Sequence, residues 1–215
     1  MPQKGLYIFD FDGTISYTGD DIALSLNEVR KAHGLVPLET KEVLRFVGYG
    51  AKYLIDNTLN VPGASPEDIL NEYKKAYYSH CTDTSRPYEG LDETLDRIIE
   101  EGGTVSMFTN KPLNITLKML DFFGVRDRFH SIFCPENLVK RKPDPEGIFR
   151  CMEEANRSKR DTVMIGDSKA DIDAGRAAGV KTCACLYGVG DREKLLEAGP
   201  DLRISDIREI TDLKI

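Results

Sequence analysis

The sequence predicts an α/β protein, a doubly wound parallel sheet with a helical insert after its first strand. Three observations carry that expectation. The apolar run Leu6-Tyr7-Ile8-Phe9 is too short for a helix and reads as a buried strand. From residue 16 to residue 82 only helical patterns follow. Beyond Gly90 strand and helix patterns alternate, as in a parallel sheet covered on both faces.

In chain order, Asp20-Asp21 starts a helix that runs through Val29 to His33 and stops at Gly34. Thr40 caps a second helix ending near Gly48. After the break at Gly48-Tyr49-Gly50, helical spacing resumes from Ala51 to Asn57. Ser65-Pro66-Glu67-Asp68 combines a capping hydroxyl, a first-turn proline and acids, so a helix to His80 follows. Arg86-Pro87-Tyr88-Glu89-Gly90 marks a boundary. The alternating region reads as helix Leu91–Glu101, strand Thr104–Thr109, helix Leu113–Phe123 and strand Ser131–Cys134. Helix Pro145–Ala155, strand Thr162–Ile165, helix Ala170–Ala178 and strand Lys181–Leu186 continue it, with further elements at Arg192–Ala198 and Asp206–Leu213. The division that follows is a core of residues 1–15 and 83–215 and a helical cap of residues 16–82. Such an insert sits beside the carboxyl edge of the sheet, where open parallel sheets hold ligands.

Length and charge narrow the function. The 215 residues carry a net charge of −7 with no basic stripe, which disfavours nucleic acid as a partner. No apolar run reaches membrane-span length, and no signal-peptide pattern precedes the first strand, so no membrane partner and a cytoplasmic setting are expected. Five cysteines without a Cys-x-x-Cys read as reduced and buried. The three histidines match no zinc spacing. A monomer or a dimer is the expected assembly.

Chemistry-bearing residues cluster where strands end: Asp10 and Asp12, then Thr109-Asn110-Lys111, Lys142, and Gly166-Asp167-Ser168 with Asp171. The set holds acids for a metal, a hydroxyl and an amide that donate hydrogen bonds, and ammonium groups. Together these can attack and stabilise a phosphoryl group. Singly, each has a plainer reading: a turn, a helix cap, a solvated lysine. A calcium loop starting at Asp10 is disfavoured, because Ile15 and Asp21 stand where that loop needs glycine and glutamate.

With these residues in place, the chain resembles the haloacid dehalogenase superfamily, and within it the phosphoglycolate phosphatase-like subgroup with a helical cap on a Rossmann-like core. The motifs are Asp10-Phe11-Asp12-Gly13-Thr14, Thr109-Asn110-Lys111-Pro112, Lys142-Pro143 and Gly166-Asp167-Ser168-Lys169-Ala170-Asp171. The resemblance implies a Mg2+-dependent phosphatase acting on a small phosphorylated metabolite. It implies Asp10 as nucleophile and Asp12 as general acid and base. Mg2+ would be bound by Asp10, Asp167 and the main-chain carbonyl of Asp12, with Asp171 supporting. Thr109, Asn110 and Lys142 would hold the phosphate, and Gly13 would keep the loop close enough for main-chain N–H groups to reach it. Gly48-Tyr49-Gly50 with Lys52 resembles the subgroup's capping loop, and a cation there or at Arg45 could meet a second anionic group, although Lys52 on an amphipathic helix reads more readily as solvated. One departure is that Tyr17-Thr18 stands where the family often has Asp-Ser.

Two other readings stay open on sequence. One is a phosphosugar mutase similar to β-phosphoglucomutase, which differs through lid closure and sugar contacts. The other is a phosphoacceptor signalling domain without turnover, disfavoured by Asp12 and by the long helical insert.

Overall fold

The structure, a computed structural model, describes residues 5–213. Six parallel strands form the central sheet in the order β5-β4-β1-β6-β7-β8. They are β1 (Leu6–Phe9), β4 (Thr104–Phe108), β5 (Ser131–Phe133), β6 (Thr162–Gly166), β7 (Lys181–Cys185) and β8 (Leu202–Ile204). The first strand lies between β4 and β6, with Phe9 in register with Met107 on one side and Ile165 on the other.

The run Leu6–Phe9 is apolar throughout because both faces of β1 are covered. Tyr7 and Phe9 pack into one apolar cluster with Leu95 and Ile98 of α5 (Leu91–Glu100) and Met119 of α6 (Leu113–Phe123). Leu6 and Ile8 face the other way, onto Ile148 and Cys151 of α7 (Glu146–Ala155) and Ala174 of α8 (Lys169–Ala178). This is the period-two alternation of a strand between two helical layers. Cys183 and Cys185 share one face of β7 as their spacing requires, and all five cysteines are free and buried.

Between β1 and α5 the chain builds four helices: α1 (Gly19–Ala32), α2 (Thr40–Leu44), α3 (Ala51–Thr58) and α4 (Pro66–His80). Their apolar stripes, including Ile22, Leu26, Leu54, Ile69, Tyr73 and Tyr77, join the cluster of Tyr7 and Phe9. A remaining helix, α9 (Arg192–Glu197), is capped by the Asp191 carboxylate.

The structure differs from the sequence expectation at short elements. Ser16–Tyr17 (β2) and Arg86–Pro87 (β3) form a two-residue antiparallel pair inside stretches read as free of strands. Two residues carry no periodicity, and Pro87 argued against a strand. The second cap helix ends at Leu44 rather than near Gly48, as Phe46 and Val47 bond back to Val43 and Leu44 in tighter turns. Strand β8 had no signal in its three residues, and the last expected element, at Asp206–Leu213, is a 3₁₀ helix over Ile207–Asp212.

Candidate active site

Asp10 directly follows β1, Thr109 directly follows β4, and Asp167 directly follows β6. Because β4 and β6 flank β1 in parallel, these ends share one edge of the sheet. Lys142 reaches the same edge from the segment before α7, and Asp171 from the first turn of α8.

The Lys142 ammonium is fully enclosed, 2.8 Å from Asp10 Oδ1 and 2.6 Å from Asp171 Oδ1. Burial alone would pull its proton affinity down, but Asp10 and Asp171 overcome burial and hold it above the usual lysine value. Asp10 is raised to about 6, first by burial, with Asp171 and Asp12 adding to it against the pull of Lys142. Its Oδ1 touches the ammonium yet lacks a hydrogen bond of proper alignment. Asp167 is also pushed well above the carboxylate range, by burial and then by Asp171 and Asp10. Its Oδ2 accepts from the main-chain N–H groups of Val189 and Gly190, both at 2.8 Å.

Asp10, Asp167 and Asp171 each present an oxygen within 4.8 Å of the others, and all three are buried. One ammonium pairs with two of these three acids, so a divalent cation fits the remaining charge. The Asp12 carbonyl accepts no hydrogen bond among the described residues, which leaves it able to join such a ligand set. Asp171 is committed elsewhere: Oδ1 accepts from Lys142, and Oδ2 accepts from Ser168 N (2.9 Å) and Ser168 Oγ (2.6 Å). This reciprocal cap of α8 makes Asp171 the residue that orients Lys142.

The raised carboxylates set a pH dependence. Between its unfolded and folded pKa values, an acid raised by folding holds more protons in the native state than in the unfolded state, so stability falls as pH rises. Its contribution to stability is complete below the unfolded value near 3.8 and is lost as pH rises through about 6. Metal-free protein should therefore melt at a lower temperature at pH 8 than at pH 5. The rise in melting temperature on adding Mg2+ should be larger at pH 8, where the ligands are ionised. Thermal melts with EDTA or Mg2+ at both pH values check this. Equal Mg2+ effects at the two pH values would count against the cluster as the binding site.

Two residues of the loops have further ties within the protein. Gly13 donates its own N–H to the Ser16 carbonyl at 2.9 Å. What its lack of a side chain provides is room: a Cβ there would lie 1.9 Å from Asp167 Oδ2, at a φ of +75°. Gly13→Ala should cost about 2–4 kcal/mol from clash and strain. It should also weaken Mg2+ binding, as read by thermal melting and metal titration; a wild-type melting curve would refute that reading. The Asn110 side chain is engaged within the protein as well. Its Nδ2 donates to the Gly48 and Lys142 carbonyls (3.0 and 3.1 Å), while Oδ1 accepts from Lys142 N at 3.0 Å. The side chain therefore clasps the cap loop and the Lys142 segment to β4 and has no donor left for a phosphate. The main-chain N–H groups of Asp12 and Asn110, in contrast, donate to no acceptor among the described residues.

A cavity of about 40 Å3 adjoins Asp10 and Asp12, bounded by Thr109, Asn110 and Lys111 and roofed by Ile22, Phe46, Leu54, Tyr73 and Tyr77 from the helical insert. Neither candidate lid cation, Arg45 nor Lys52, lines it. Lys52 is exposed and pairs with Asp56 at 2.6 Å, and Arg45 is exposed. Sequence reasoning missed the turn Gly188-Val189-Gly190 that wraps Asp167, although two glycines straight after a strand were its signal. It also missed Thr18, whose hydroxyl donates to Asp12 Oδ1 at 2.7 Å.

Comparison with known proteins agrees with this geometry. The profile of the haloacid dehalogenase-like hydrolase family matches residues 7–185, and the chain belongs to that family. The chain is 32% identical to a phosphoglycolate phosphatase of Agrobacterium fabrum over 215 residues, spanning 98% of this chain and 92% of that protein. It is 31% identical to the N-acetylmuramic acid 6-phosphate phosphatase of Pseudomonas aeruginosa over 209 residues, spanning 96% and 92%. Among solved structures, a haloacid dehalogenase-like hydrolase of Streptococcus pneumoniae superposes with a TM-score of 0.86 over 99% of each chain at 18% identity, a likeness of fold. The enzyme is thus a phosphatase of this family, and the signalling-domain alternative falls away.

Proposed function

We propose that the chain hydrolyses a small, phosphoglycolate-like phosphomonoester through an aspartyl phosphate on Asp10. The observation that carries this is the Asp10 carboxylate, buried beside the Lys142 ammonium and opening with Asp12 onto one cavity. In the first half-reaction a carboxylate oxygen of Asp10 bonds to phosphorus as the bond to the leaving oxygen breaks, and Asp12 gives that oxygen a proton. In the second, Asp12 takes a proton from water as the water oxygen bonds to phosphorus, and the Asp10–phosphorus bond breaks. Lys142 offsets charge on Asp10 and on the transferring group, while the Thr109 hydroxyl and the N–H groups of Asp12 and Asn110 serve the phosphate oxygens. Mg2+ is the proposed cofactor, held by Asp10, Asp167 and the Asp12 carbonyl, and when bound it would supply neutralising charge to the phosphoryl oxygens.

The division into a core of residues 1–15 and 83–215 and a cap of residues 16–82 belongs to this proposal, as does a cytoplasmic setting. It is supported by the β2–β3 pair, which ties the two ends of the helical insert together. Ile22, Phe46, Leu54, Tyr73 and Tyr77 of the insert close over the cavity beside Asp10 and Asp12, which supports a small leaving group. Steady-state kinetics should give a higher kcat/KM for phosphoglycolate than for N-acetylmuramic acid 6-phosphate. The reverse order would overturn the substrate assignment and leave the phosphatase chemistry standing. Removal of Mg2+ with EDTA should abolish turnover of both, and unchanged turnover would end the metal assignment.

A further inference from the structure

Lys111 is almost fully buried, yet its ammonium is not aimed at Asp10 or at the Lys142 pair. It donates to Asp12 Oδ1 at 2.7 Å and also to the Tyr77 hydroxyl. Its nitrogen lies 5.0 Å from the ring centre of Phe11 and 4.4 Å from that of Tyr77. Three parts of the chain thus meet on one cation: the loop after β1, the loop after β4, and helix α4 of the insert. Tyr77 stacks on Tyr73 one helical turn away, with ring centres 5.8 Å apart, so its hydroxyl is held by packing.

This arrangement makes the two oxygens of Asp12 unequal. Oδ1 accepts from both Thr18 Oγ1 and Lys111 Nζ, each at 2.7 Å. Oδ2 takes no hydrogen bond among the described residues. A carboxylate with one oxygen fixed by two donors cannot swing, and its other oxygen is the one open to proton exchange. A buried ammonium with an acid, a hydroxyl and two rings around it has a narrow choice of position.

We propose that Lys111 is a positioning residue for Asp12, and that Tyr77 makes this positioning depend on α4 being seated over the site. Asp12 then holds the geometry for proton transfer only while the helical insert covers the cavity. The inference rests on the phosphatase reading above, with Asp12 as the proton donor. It differs from a role for Lys111 as a phosphate ligand, because its ammonium is already shared between Asp12 and Tyr77.

Leaving-group dependence separates these roles. p-Nitrophenolate departs without a proton, whereas an alkoxide needs one. In Lys111→Met the kcat/KM for ethyl phosphate should fall about 10–100-fold, and that for p-nitrophenyl phosphate should stay within about threefold. Tyr77→Phe, which removes one hydroxyl from a packed helix, should show the same selectivity with a loss of about threefold or more. Inhibition by inorganic phosphate should be nearly unchanged in both variants. Equal losses for the two substrates, no loss for either, or a large weakening of phosphate inhibition would overturn the inference. Failure of the wild-type protein to hydrolyse either substrate would instead overturn the phosphatase reading on which it rests.

Discussion

Replacing Asp10 with Asn should lower phosphate release from p-nitrophenyl phosphate by about four orders of magnitude or more, while the protein stays folded. The amide is nearly the same size but is a poor nucleophile, and losing the attacking group removes the whole covalent route. The substitution also relieves the cluster of one buried negative charge near Asp167 and Asp171. Metal-free Asp10→Asn should therefore melt no lower than metal-free wild type at pH 8, where Asp10, with its pKa raised to about 6, would be ionised. An inactive variant that is also unfolded would leave catalysis and stability entangled, so circular dichroism accompanies the assay. Retained turnover in a folded variant would remove Asp10 from the nucleophile's place.

The second large effect is on stability. Lys142→Met keeps an apolar stem in the space beside Phe108 but deletes a fully buried ammonium from between Asp10 and Asp171. Removing one partner of a buried ion pair leaves charge uncompensated, at a cost of about 3–5 kcal/mol. For a chain of this length that corresponds to a melting point lower by roughly 6–20 °C at pH 8. The deficit should shrink as pH falls toward 5 and the acids take up protons. A pH-independent loss would instead point to packing around Phe108 as the cause.

Much of this site could be read from the sequence because its parts stand at strand ends. The run Leu6–Phe9 had to be buried on both faces, and that put Asp10 at the edge of the sheet. The same reasoning placed Thr109 and Asp167, since β4 and β6 flank β1. What stayed hidden depends on contacts between segments far apart in the chain. Nothing local marks Asn110 as a clasp on the Gly48 carbonyl, or Thr18 and Lys111 as the two donors on one oxygen of Asp12. Gly13 was legible as a required glycine, but its reason, the approach of Asp167, appears only once β6 lies beside β1. Lys52 is the converse case, in which the plainer solvated reading holds. Its place beside Gly48-Tyr49-Gly50 suggested a ligand, whereas helical spacing turned it outward onto Asp56 four residues on.

The most direct test is to quench the wild-type enzyme during turnover of its best substrate and reduce it with borohydride. The peptide spanning residue 10 is then read by mass spectrometry. An acyl phosphate on Asp10 is reduced to the alcohol, so homoserine should appear at position 10 and vanish when substrate is omitted. Homoserine at Asp12 or Asp167, or an unmodified peptide under conditions where the intermediate accumulates, would contradict covalent catalysis by Asp10.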